Sequence, residues 1–167
     1  MACLFAALVA VGGQIRVPIP GNPVPFTLQV VFVLMAGALM RPAVASGGML
    51  LFMLSGVAGL PVFTGGAAGP AHLLGPTGGY LAGFVAGAAV CSLVLKGRRD
   101  SMGRIVVSMI AASATIHLLG MLHLAFFLGA DFASAFQFGR AFLLLAGLKI
   151  VVAASAVSGY AAVTSKE

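Results

Sequence analysis

Few residues of this chain can do chemistry, and the most telling is a lysine inside an apolar stretch. Lys149 follows Arg140 by nine residues, which is ~13 Å along a helix rising 1.5 Å per residue. An ionisable group at such depth in lipid is costly and marks function by default. Its neighbours three and four positions away are Leu145, Ala146, Val152 and Ala153, so no carboxylate accompanies it on the helix. Three outcomes are open: it sheds its proton, it pairs with Asp131, or it receives an anionic or carbonyl-bearing ligand. The third is the expectation carried forward.

Two further groups stand at helix starts. Thr27 precedes the apolar run that opens at Leu28-Gln29, and Thr77 precedes "GGYLAGFVAGAAV". Each threonine sits where an N-cap belongs. The helix N-termini behind them would offer N–H groups and partial positive charge. Gly78 and Gly79 would let a ligand approach that backbone, with Phe63 and Tyr80 as apolar walls. Thr27, Gln29, Phe63, Thr77, Gly78, Gly79, Tyr80 and Lys149 are therefore the expected substrate-binding set. His117 and His123 are six apart, pointing about 120° from each other on a helix, which suits packing better than a shared metal. His72 could line the site. No paired acids, nucleophile set or P-loop appears, so the chain is expected to be no enzyme and to hydrolyse no ATP.

Composition says what must position these residues. Of 167 residues, 61% are hydrophobic and 7% charged. A soluble domain needs more charge, so lipid is the main solvent. Long apolar runs without alternation exclude a barrel and leave an all-α integral membrane bundle, read as one domain over 1–167. Six apolar segments are expected, at roughly 1–15, 27–40, 43–60, 77–95, 103–128 and 139–162. The first lacks a basic start and a cleavage site, and reads as a retained helix. Cys3 and Cys91 read as packing residues. The net charge of +6 sits mainly beside apolar segments, so it does not point to nucleic acid.

Arg41, Lys96, Arg98, Arg99, Arg104 and Lys166 fall on one side if the six helices alternate. That side is expected to be cytoplasmic, with both termini inside. Loops 16–26, 61–76 and 129–138 then lie outside. The first holds Pro18, Pro20, Pro23 and Pro25, which stiffen it and remove donors. Ala2, Ala6 and Ala10 recur every four positions, as do Gly83 and Gly87, and such spacing lets helices approach closely in lipid. Ala2, Ala6 and Ala10 are the expected interface for another membrane protein.

"IPGNPVPFTLQ" (Ile19–Gln29), "GLPVFTGGAAGPAHLLGPTGGYLAGF" (Gly59–Phe84) and the deep lysine closely resemble the BioY family, biotin-specific substrate-binding components of energy-coupling factor transporters. The resemblance covers nearly the whole chain. It implies a six-helix protein of the bacterial plasma membrane that captures biotin from outside and needs no cofactor. It implies as partners membrane lipid, a transmembrane coupling protein and two ATP-binding subunits. It also makes the Pro-rich stretch a lid and places Ala2, Ala6 and Ala10 against the coupling protein. One run departs from the family pattern. Where members usually carry Pro-Gly-Asp-x-x-Lys in the last helix, this chain has "LLAGLK" (Leu144–Lys149), with Ala146 at the acid position. Other expectations kept open are another small vitamin or biotin precursor as cargo, and a membrane sensor or scaffold.

Overall fold

The computed structural model describes residues 1–164, with the side chains of Ala141 and Leu144 outside that description. Lys166, expected on the basic side, also lies outside the described residues. The order is α1 (Ala2–Gln14), β1 (Arg16–Val17), β2 (Phe26–Thr27), α2 (Gln29–Leu39), α3 (Pro42–Val57), a 3₁₀ turn (Thr64–Gly66), α4 (Pro70–Leu74), α5 (Gly78–Leu95), α6 (Met102–Leu128) and α7 (Phe132–Thr164). Three helical stretches, Gly78–Leu95, Met102–Leu128 and Leu145–Thr164, are long and apolar enough to cross a membrane. The outward faces carry large apolar side chains such as Leu54, Leu93, Ile110, Phe126 and Val151. Helices with such surfaces need lipid around them.

Helix α5 packs against α2, α3 and α6. Its small residues make this possible. A Cβ on Gly83 would stand 3.0 Å from the Ile116 backbone of α6, and one on Gly37 of α2 would stand 2.6 Å from Cys91 Cβ. Close backbone approach is how helices gain dispersion contacts in lipid. The alanine stripe of α1 also meets the rest of the chain, with Ala2 and Ala10 half-buried. Ala6 is buried in the core, and Gly48 of α3 lies against the Ala2 backbone. The exposed side of α1 carries Cys3, Leu4, Ala7 and Val11 instead.

The Pro-rich segment is not a plain loop. Its ends pair as a short antiparallel hairpin, Arg16 opposite Thr27 and Val17 opposite Phe26. The four prolines lie between or beside the strands, where no ladder donor is required. Asn22 fixes the tip: its Oδ1 accepts from Val24 N–H at 3.0 Å and its Nδ2 donates to the Phe138 carbonyl of α7 at 2.9 Å.

The last helix begins seven residues before its expected start. Asp131 stands just ahead of Phe132 and accepts from Ser134 N–H at 3.3 Å and from the Ser134 hydroxyl at 2.5 Å. These bonds hold its carboxyl below the usual range. Asp131 is thus a helix cap, and pairing with Lys149 is not its role. The connection expected over 129–138 shrinks to Gly129–Asp131. Lys149 now lies 17 residues past Phe132, so ~26 Å along α7 rather than ~13 Å from a start at Arg140.

Candidate substrate cavity

The hairpin, α2, α5, α6 and α7 converge around Lys149. The lysine is 4% exposed. Its Nζ stands 4.1 Å from the centroid of the Phe26 ring, which β2 lays over it. A cation over an aromatic face gains electrostatic stabilisation that partly offsets the loss of water. Among the described residues the ion pair is Arg104–Asp100 on the molecule's basic side, and no carboxylate reaches Lys149.

Thr27, Gln29, Thr77, Tyr80 and Lys149, all expected at the site, line one cavity. It holds about 470 Å³ of atom-free space including its open mouth.

The polar groups are arranged unevenly. Gln29 is 3% exposed, and its Oε1 accepts from the hydroxyls of Thr27 at 3.3 Å and Thr64 at 3.1 Å. Among the described residues its buried Nε2 has no hydrogen-bond partner, and neither has the Tyr80 hydroxyl. Such orphans are rare in folded proteins and call for a partner from outside the chain. His117, 3% exposed, places Nδ1 2.7 Å from the Ser113 carbonyl. Tyr80, His117 and Phe142 form an aromatic cluster with centroids 6.0–6.4 Å apart.

Three expected residues do not line the cavity. Phe63 is fully buried behind it, edge-on to Phe52 at 5.7 Å and stacked on His72 at 4.9 Å. A Cβ on Gly78 would meet the Leu73 carbonyl, and one on Gly79 would meet His123 Cβ at 2.3 Å. Both glycines serve close packing. The expected caps are corrected too. Thr27 belongs to β2, and α2 starts after Leu28. Thr77 does precede α5, but its hydroxyl meets His72 Nε2 at 3.2 Å and caps nothing. The N–H groups of Gly78 and Tyr80 bond locally to Gly75 and Thr77 carbonyls, so that helix end is not open.

His72 itself supports rather than lines. Burial lowers its pKa, which keeps the ring neutral between Phe63 and Thr77. His123 Nε2 lies 2.9 Å from the Gly75 carbonyl and pins the same turn to α6. Val24 and Pro25 come from the Pro-rich stretch expected as a lid, and the lining residues not expected at the site are Val30, Thr64, Leu81, Phe84, His117 and Phe142. For His117 a signal existed: Ser113, one turn earlier on an apolar helix, is positioned to fix the ring.

The chain as a whole is similar to known proteins in both sequence and fold. The BioY family model matches residues 1–166. A biotin transporter BioY of Thermotoga maritima is 37% identical over 92% of this chain and 89% of its own length. A probable biotin transporter BioY of Pyrococcus horikoshii is 39% identical over 86% of this chain and 79% of its own. The fold matches the crystal structure of the S-component for biotin from an ECF-type ABC transporter, with a TM-score of 0.89 at 24% identity, covering 95% of this chain and 87% of that one. The chain belongs to the BioY family.

Proposed function

We propose that this chain captures biotin at the cavity around Lys149, as the substrate-specific component of an energy-coupled vitamin uptake system, and is no enzyme. One observation carries the reading: a buried lysine without a carboxylate among the described residues lines a cavity with Gln29 and Tyr80, each of which holds a buried polar atom without a partner there. Biotin has a carboxylate and a ureido carbonyl, both acceptors, and an apolar bicycle that suits Phe84, Phe142 and Leu81. Thr27, Gln29, Thr77, Tyr80 and Lys149 are the contacts proposed. Phe63, Gly78 and Gly79 act behind them, holding the turn.

The same reading takes the whole chain as one transmembrane domain in a bacterial plasma membrane. Its six longer helices span, and both termini face the cytoplasm. The basic cluster Lys96–Arg104 supports that orientation. Membrane lipid surrounds it, and a transmembrane coupling protein with two ATP-binding subunits supplies the energy. The absence of a P-loop motif favours a separate motor.

The test is calorimetric titration of the purified chain in detergent with biotin. Saturable binding with ligand-dependent thermal stabilisation is expected, and no binding in a folded sample overturns the reading. Orientation has its own check. Cysteines placed at Pro23 and Arg98, in a background lacking Cys3 and Cys91, should react with an impermeant thiol reagent from opposite sides.

A further inference from the structure

We propose that His117 is the acceptor through which this cavity recognises a ligand N–H. The inference rests on the biotin reading and deepens it. Nδ1 lies 2.7 Å from the Ser113 carbonyl oxygen, one turn back on α6. A carbonyl can only accept, so the ring proton sits on Nδ1. In the neutral imidazole the other nitrogen then carries a bare lone pair. Both hydrogen bonds of this ring end at Nδ1, and among the described residues none reaches Nε2. The ring is buried, lines the cavity, and is held edge-on by Tyr80 at 6.3 Å.

The remaining lining groups are mostly donors. Lys149 can only donate. Gln29 Oε1 already receives two hydroxyls, which leaves its amide N–H groups. The Thr77 hydroxyl is engaged by His72, and the Tyr80 hydroxyl can turn either way. Among the described residues no carboxylate lines the cavity. His117 Nε2 is thus an acceptor there with no partner among the described residues, beside the lone pairs of the Thr27 and Thr64 hydroxyls, whose protons go to Gln29 Oε1. A guest must bring an acceptor to Lys149 and an N–H to His117. A cyclic urea carries both on one ring, as a carbonyl flanked by two N–H groups. A guest whose nitrogens are alkylated keeps the carbonyl and leaves Nε2 unpaired in a dry site.

The experiment titrates the purified chain with biotin and with two derivatives, each methylated on one ureido nitrogen. In the unmodified protein one isomer should bind about tenfold more weakly than the other, the penalty of one buried group left unpaired. His117→Phe should weaken biotin about tenfold and bring the two isomers within about twofold of each other. His117→Gln restores an acceptor and should hold biotin within about threefold of the unmodified protein. Failure of the unmodified protein to bind biotin would remove the parent reading. Biotin binding with both isomers equivalent in the unmodified protein, or with the isomer preference intact in His117→Phe, would overturn this proposal alone. If His117→Phe does not fold, His117→Gln decides: a folded Gln variant that loses biotin tenfold or more overturns it.

Discussion

Helices α2 and α5 run side by side, and their two ends treat polar groups in opposite ways. At the Leu39 and Leu95 end the chain satisfies itself. Arg99 donates from Nε to the Ala38 carbonyl at 2.7 Å and from Nη2 to the Leu39 carbonyl at 2.9 Å. Ser92 donates to the Met40 carbonyl at 2.7 Å. Arg104 grips Asp100. At the Gln29 and Tyr80 end, among the described residues, a buried amide nitrogen and a buried phenol lack partners, and a buried lysine faces no acid. One sequence has thus solved the same problem at one end and left it open at the other. Buried orphans cost roughly 1–3 kcal/mol each, and the proposed guest would supply the missing groups at the open end.

The comparison breaks most visibly at Lys149. Lys149→Met keeps much of the stem and removes the charge. Loss of one charge-assisted hydrogen bond, ~1.5–3 kcal/mol, should weaken biotin roughly ten- to a hundredfold. The empty protein should be no less stable, because an ion without a counter-charge has left the membrane. Calorimetry and a melting curve on the same sample check both halves. Unchanged affinity would make the lysine structural and move the site toward Thr27, Gln29 and Thr77.

The opposite result is expected at the other end. Arg99→Ala exposes the last carbonyls of α2 and removes a cation from its negative pole. Stability should fall by about 2 kcal/mol, while biotin affinity stays within about twofold. A variant that melts normally but binds poorly would show that the two ends are coupled. Tyr80→Phe sharpens the same contrast. Removing an orphaned buried hydroxyl should leave the empty protein equally or slightly more stable and weaken biotin by about three- to tenfold.

These predictions rest on features the sequence disclosed unequally. A longer helix lies on each of the six expected apolar segments, three of them long and apolar enough to cross a membrane, because continuous apolar length is the dominant signal of such a sequence. That signal failed at the start of α7, where Asp131, Ser134 and Gln137 read as a polar loop. Asp131 and Ser134 are the cap of a helix whose first turns carry Phe132 and Phe136 on exposed faces. The polar residues of the cavity were legible by type, since Lys149, Gln29 and the threonines are conspicuous among apolar neighbours. Their roles were not. A threonine before a helix can cap it or turn aside, and only the positions of Gln29 and His72 decide that Thr27 and Thr77 turn aside. Glycines pose the same ambiguity. Gly78 and Gly79 could have bared the backbone to a ligand, yet the chain fills that space with Leu73 and His123. The alanine stripe of α1 shows how spacing announces close packing without naming the partner.

The smallest expected effect lies between the two ends, at His72. Its ring is stacked on Phe63 and bonded to Thr77, so it props the cavity without entering it. Burial lowers its pKa below the ordinary 6.5. The unfolded chain therefore takes up this proton first as the pH falls, and protonation favours unfolding. The stability linked to His72 is complete above pH 6.5 and is lost as the pH drops below it. His72→Gln keeps a hydrogen-bonding group near Thr77 and cannot titrate. Melting curves at pH 7.5 and 5.5 should show a larger drop for the unmodified protein than for the variant, with the difference small because the ring is only half-buried. Biotin affinity at pH 7.5 should change little in the variant if His72 is a prop. Parallel losses in both proteins would mean that the pH dependence arises elsewhere. A large loss of affinity at pH 7.5 would place His72 on the ligand side of Thr77 and enlarge the unsatisfied end.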